Sequence, residues 1–175
     1  CPSDLIRFCP ICDGYEAIDR RVGVVGDLHN AGKKALFLRT YTKDVSVFVT
    51  GDSNGTDDTR KTLEEAKLAV FDAPQKIRLD APGRVAIETE SGSVHELDAL
   101  YPAMGCAVRS ELATVIGASC SEIGNLLVDD HQRTTVPGLY AAGDVVTDLH
   151  QLSVAFGHAA IAATDIHNQL PRNYR

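Results

Sequence analysis

A second pair of closely spaced cysteines is missing from this chain. Five cysteines occur in 175 residues, and only Cys9 and Cys12 stand together. Cys1, Cys106 and Cys120 are isolated, and His29, His95 and His131 show no paired-ligand spacing. A structural zinc site needs four ligands, so it finds little support here. No apolar run approaches the roughly 20 residues of a membrane span. No block of Lys or Arg occurs, and the net charge is −7. That balance argues against nucleic acid or an anionic membrane as a partner. The start, Cys1-Pro2-Ser3-Asp4, has no initiator Met, basic stretch or apolar stretch, so it reads as an internal cut without a signal peptide. Few cysteines and no such signal suit a reducing cytoplasm. Internal repeats and low-complexity segments are also lacking.

What is present supports a core. Hydrophobic residues make up 44% of the chain, enough for one ordinary domain or two pieces of a larger architecture. Cys9-Pro10-Ile11-Cys12 is followed at once by Asp13-Gly14-Tyr15. This spacing lets one sulfur attack a disulfide and the other resolve the mixed disulfide. A neighbouring carboxyl can deliver or remove the proton that each thiol–thiolate change requires. Half of a zinc site, or two inert buried thiols, would look the same.

Residues 21–26 (RVGVVG) read as a buried strand, 30–40 as a helix and 44–50 (DVSVFVT) as the next strand, a βαβ unit that implies a parallel sheet. Residues 58–71 read as an amphipathic helix through Thr59, Leu63, Ala66 and Val70. Short β segments at 76–79, 84–89 and 94–97, separated by Ala81-Pro82-Gly83 and Ser91-Gly92-Ser93, predict an antiparallel meander. Residues 98–104 return as an apolar strand that Pro102 confines to an edge or an end. Residues 105–109 read as a hinge, 125–129 and 138–142 as short strands, and 151–170 as a long helix ending before Pro171.

The order CPICDGY, RVGVVG with its βαβ unit, a meander, TTVPGLYAAGDVV and LHQLSVAFGHAAIAATDIHNQL resembles the thioredoxin reductase family of flavoprotein disulfide oxidoreductases. The resemblance covers essentially the whole chain. It implies an α/β fold: a Rossmann-like three-layer nucleotide-binding domain with a small meander over 1–104, and the C-terminal segment of an FAD-binding domain over 105–175. The N-terminal FAD segment of the family is not in this sequence.

By the same resemblance, Cys9 and Cys12 are the redox pair and Asp13 the proton-transferring acid. Cys12 exchanges electrons with the flavin and Cys9 attacks the partner disulfide. Gly143 and Asp144 contact FAD, the carboxylate accepting hydrogen bonds from sugar hydroxyls. His150, Gln151 and Leu152 face the flavin ring at a helix N-terminus. Asp144 as a turn cap and Gln151 as a plain helix start are the blander readings. The implied partner is a thioredoxin-like protein or a small-molecule disulfide, and the implied assembly a homodimer. The direction of electron flow stays open.

The nicotinamide fingerprint departs from the pattern. Gly26 and Ala31 fit, but Leu28 stands where a glycine should admit pyrophosphate, with Asp27 beside it. The second strand leads to Val49-Thr50-Gly51-Asp52 with no basic cluster for an NADP 2′-phosphate. Asp52, 26 residues after Gly26, suits an NAD ribose or an ordinary turn. Three readings follow: a degenerate site fed by another donor such as ferredoxin, a modified NADPH or NADH site, or a non-redox binding or assembly module with structural cysteines.

Overall fold

The computed structural model describes residues 4–51, 57–80 and 83–172. The chain forms two compact units, Cys1–Gly105 and Cys106–Arg175.

The first unit is built on a four-stranded parallel sheet. A short helix, α1 (Pro10–Asp13), and a 3₁₀ turn (Gly14–Ala17) precede β1 (Val22–Gly26), α2 (Leu28–Leu38), β2 (Val45–Val49), α3 (Asp57–Glu65) and β3 (Ala69–Phe71). A meander of β4 (Pro74–Asp80), β5 (Arg84–Thr89) and β6 (Val94–Leu97) then leads into β7 (Ala99–Ala103). The parallel sheet runs β3-β2-β1-β7, and the antiparallel one β4-β5-β6. β1 and β2 carry VGVVG and VSVFV, β-branched runs with nearly every residue buried, as a strand covered on both faces requires.

Three layers result. On one face α2 presents Leu28, Ala31, Ala35 and Leu38, spaced three and four apart, to Val22, Val24, Val47 and Leu63. On the other, Phe48, Val25 and Leu100 pack on Val85, Ile87 and Leu97 of the meander. Fold class and meander are as the sequence led us to expect. β7 is an edge strand, as Pro102 required. Leu100 N–H points outward to the Leu5 carbonyl at 2.8 Å, and the N–H that Pro102 lacks falls on that same outer side. Leu5–Arg7 lie along this edge through an Ile6–Leu100 bridge.

Three readings need correction. The helix expected over 58–71 ends at Glu65, and its last three residues are the strand β3. Lys67 takes a left-handed conformation with φ of 56°. Leu68 N–H then reaches the Leu63 carbonyl, and Lys67 N–H reaches that of Glu64. This is a Schellman stop, which a lysine disguises because glycine is the usual signal. In the second unit, the strands expected at 125–129 and 138–142 are only isolated bridges, Cys120–Leu126, Val128–Thr134 and Arg133–Tyr140. Turns interrupt the pairing before a ladder can extend. The helix expected from residue 30 also begins two residues earlier, as α2, because Asp27 caps it.

The second unit contains α4 (Glu111–Thr114), a 3₁₀ turn (Gly143–Val145) and α5 (Leu152–Gln169), around Ala113, Ala118, Leu126 and Ala141. The buried Asp165 fastens α5 to the bridged segment. It accepts hydrogen bonds from Arg133 Nε at 2.7 Å, from the Tyr140 hydroxyl and from Gln169. Arg133 first, and Tyr140 second, hold its carboxyl well below the usual range.

Candidate active site

Cys9 and Cys12 are joined in a disulfide, with their Cα atoms 5.3 Å apart. Cys9 is the N-cap of α1, and Pro10 fits the first turn because no N–H is needed there. Amides of Cys12 and Asp13 both donate to the Cys9 carbonyl, at 2.9 and 3.2 Å, closing the loop that brings the sulfurs together. Cys12 is exposed. Cys9 is half-buried and opens on a cavity of about 610 Å³ shared with Arg7, Asp13, Glu16 and Arg20. Around the disulfide Phe8, Ile11 and Tyr15 are 72%, 66% and 75% exposed, an unusual density of large apolar side chains in water.

Asp13 is held from two sides. The Tyr101 hydroxyl, arriving from β7, donates to Asp13 Oδ1 at 2.7 Å. Arg7 lies 4.0 Å from Oδ2 and also donates to the Asp13 carbonyl at 3.3 Å. Burial first, and this hydrogen bond second, push the Tyr101 phenol far above its ordinary range, so it remains a donor. Neither Tyr101 nor Arg7 stood out in the sequence. An O–H in an otherwise apolar strand was the one signal for Tyr101.

The loop after β1 is closed to phosphate. Asp27 caps α2, accepting from Asn30 N–H at 3.0 Å and Asn30 Nδ2 at 2.7 Å. Burial opposes it, yet the Asn30 hydrogen bonds hold the Asp27 carboxyl below the usual carboxylate range. The helix end that would bind a pyrophosphate already has its anion. Leu28 turns inward and is 1% exposed. Gly26 has a packing reason: a Cβ there would collide with the Ala103 carbonyl of β7. Ala31 is buried against the sheet. Asp52 lies outside the described residues. Beyond the ends of β2 and β3, a cleft of about 350 Å³ holds Arg60 but also Asp72 and Glu90. These residues do not fit a dinucleotide bound in the fingerprint manner. Anaerobic NADPH or NADH is therefore expected to leave the visible band of the flavin-loaded protein unbleached where dithionite bleaches it. Bleaching by either nucleotide would overturn this.

In the second unit the picture reverses. Gln151 is the N-cap of α5 and makes no side-chain cap hydrogen bond, and with no acidic residue in the first turn this helix end carries no anion of its own. Leu152 is exposed, and His150 Nδ1 lies 3.8 Å from Cys106 Sγ. Gly143 adopts φ of 78°, donates its N–H to His158 Nδ1 at 3.3 Å, and would bring a Cβ within 3.2 Å of Ala155. Asp144 next to it is exposed, and no donor among the described residues reaches its carboxylate. A free carboxylate beside a tight glycine turn and an open helix N-terminus fits the hydroxyls and electron-rich groups of a flavin nucleotide.

Residues 71–162, more than half of the chain, match the pyridine nucleotide-disulphide oxidoreductase family. The chain belongs to that family. It is 26% identical to the thioredoxin reductase of Mycoplasma pneumoniae, over 94% of this chain and 55% of that protein. It is also 26% identical to the thioredoxin reductase of Helicobacter pylori strain J99, over 80% of this chain and 49% of that protein. The solved thioredoxin reductase of Streptococcus pyogenes MGAS5005 superposes with a TM-score of 0.81 at 26% identity, over 95% of this chain and 57% of that one. The chain thus spans about half the length of these relatives.

Proposed function

We propose that this chain carries the exchangeable disulfide of a thioredoxin reductase-like flavoprotein, a disulfide oxidoreductase. The observation that carries this reading is the bonded Cys9–Cys12 pair on an accessible turn, with an anchored carboxyl as the next residue. Residues 1–104 correspond in this reading to the family's nicotinamide-type domain and 105–175 to the C-terminal segment of its FAD domain. Gly143, Asp144, His150, Gln151 and Leu152 would hold FAD. When bound, FAD supplies or accepts the electron pair that interconverts the Cys9–Cys12 disulfide and dithiol. The electron donor is one other than a nicotinamide bound at α2.

The dithiol form does the remaining chemistry. Cys9 as thiolate attacks one sulfur of a substrate disulfide. That S–S bond breaks, a Cys9–substrate disulfide forms, and the leaving sulfur takes a proton, for which Asp13, on the same cavity as Cys9, would be the donor. Cys12, as thiolate, then attacks Cys9 Sγ, which releases the second substrate thiol and restores the Cys9–Cys12 bond. One dithiol and one disulfide give one disulfide and two thiols, so electrons and protons balance. Run backwards, the same steps oxidise a substrate dithiol.

The apolar collar of Phe8, Ile11 and Tyr15 suits a thioredoxin-like protein or an apolar small-molecule disulfide. A net charge of −7 disfavours nucleic acid. No described helix is long and apolar enough to cross a membrane. A cytoplasmic homodimer is the setting the family resemblance supports.

Alkylation of the native protein tests the reading. After mild reduction Cys9 and Cys12 should be labelled together, and oxidation should remove both sites at once as a two-electron unit. Thiols that label independently, or only after denaturation, would point instead to a binding module with structural cysteines.

A further inference from the structure

The geometry points to Tyr101, assisted by Arg7, as the positioning residue that fixes the Asp13 carboxylate beside the Cys9–Cys12 pair. This rests on the function proposed above and extends it to residues of the sheet. Tyr101 is 88 positions from Asp13 in sequence and fully buried in the middle of β7. A phenylalanine would fill the same volume. The hydroxyl is therefore the informative atom, and a buried hydroxyl requires a partner. Its partner is Asp13 Oδ1, at 2.7 Å.

The arrangement divides the carboxylate. Oδ1 is bonded to the phenol, whereas Oδ2 lies at the 4.0 Å limit of an ion pair with Arg7. Arg7 is itself fixed. Its side chain is 12% exposed, its NH2 group donates to Glu16 Oε2 at 2.9 Å, and its backbone pairs with Leu100 next to Tyr101. β7 thus holds the carboxylate through Tyr101 and the arginine through Leu100. An acid carried on a four-residue helix would otherwise depend on that short helix alone for its orientation. The charged and titratable groups around Asp13 are Arg7, Glu16 and Arg20 from the N-terminal segment, with Asp4 on the shared cavity. Tyr101 comes from β7, and Lys34 from α2, its Nζ bound to the Phe8 and Pro102 carbonyls.

The test is thiol–disulfide exchange of the reduced chain with two probes, glutathione disulfide, whose alkyl thiolate leaves better with a proton, and an aryl disulfide, whose thiolate leaves without one. Asp13→Asn should slow the glutathione reaction about a hundredfold and leave the aryl reaction nearly unchanged. Tyr101→Phe should slow the glutathione reaction about tenfold, again sparing the aryl probe, because the carboxyl loses the O–H that holds it in place. Arg7→Gln should act in the same direction, with Arg7→Lys returning part of the rate, so the inference stays open to refutation if Tyr101→Phe folds poorly.

A glutathione rate that Asp13→Asn lowers but that neither Tyr101→Phe nor Arg7→Gln lowers would sink the positioning role and leave the proposed function standing. A glutathione rate untouched by Asp13→Asn would overturn both the acid role of Asp13 and this inference. Alkylation of Cys9 and Cys12 as one unit would show, in that case, that the redox pair itself survives.

Discussion

Reduced Cys12→Ser protein is expected to react once with glutathione disulfide and then stop. Cys9 remains to attack, so a stable mixed disulfide should accumulate on Cys9, visible as a glutathionyl mass increment. Turnover should be abolished, because the serine hydroxyl cannot attack Cys9 Sγ to release the second thiol. Reduced Cys9→Ser protein should form much less adduct at the remaining thiol. The asymmetry has a structural source: Cys9 opens on the cavity with Arg7 and Asp13, whereas Cys12 lies outside its lining. Full turnover by Cys12→Ser, or an adduct forming preferentially on Cys12, would overturn this division of roles.

The second large effect is structural. Phe48→Ala should destabilise the first unit by about 3–5 kcal/mol. The ring is completely buried in β2, between the parallel sheet and the meander. It stacks on Phe71 at a centroid separation of 5.5 Å and meets His95 edge-on at 5.3 Å. Both walls of the resulting cavity are hydrogen-bonded sheets, which cannot close on it the way a loop could. Hydrogen exchange at the amides of β1 and β2 reads the loss directly, without assuming that both units unfold together. Phe48→Leu keeps most of the volume and should cost markedly less. Equal protection of the wild-type and alanine proteins would show that this ring does not tie the layers together.

Much of the architecture was legible because hydrophobic period and turn residues agreed. VGVVG and VSVFV are too apolar for anything but buried strands, and the meander was bracketed by Pro-Gly and Ser-Gly turns. Reading failed where a local conformation overrode composition. Lys67 stops a helix in a backbone state that its side chain gives no hint of, so Val70 was placed on a helical stripe when it belongs to a strand. The segment from Asn125 to Ala142 has strand-like composition but only single bridges between near neighbours in sequence, since turns interrupt the pairing before a ladder can extend.

The site divides in the same way. The spacing of Cys9, Cys12 and Asp13 is local and was read from the sequence. The clasp on Asp13 was not, because Tyr101 meets it only through the tertiary fold. Asp27 was recognised as hostile to phosphate, but its role as the cap of α2 required coordinates. Leu28 reads as a side chain standing where a glycine should admit pyrophosphate, and the coordinates add that it is a core residue.

The short stretch Leu5–Arg7 along β7 has a consequence for anyone trimming this protein. It supplies the outermost hydrogen bonds of the parallel sheet, pairing with Leu100 on the edge of β7. A version starting after Cys12 would lose that cover and leave Leu100 N–H and its neighbours as a template for another chain. Such a fragment would be prone to self-association through strand pairing. The cysteine-bearing segment is therefore a guard against aggregation as well as the carrier of the thiols, and the two roles cannot be separated by truncation.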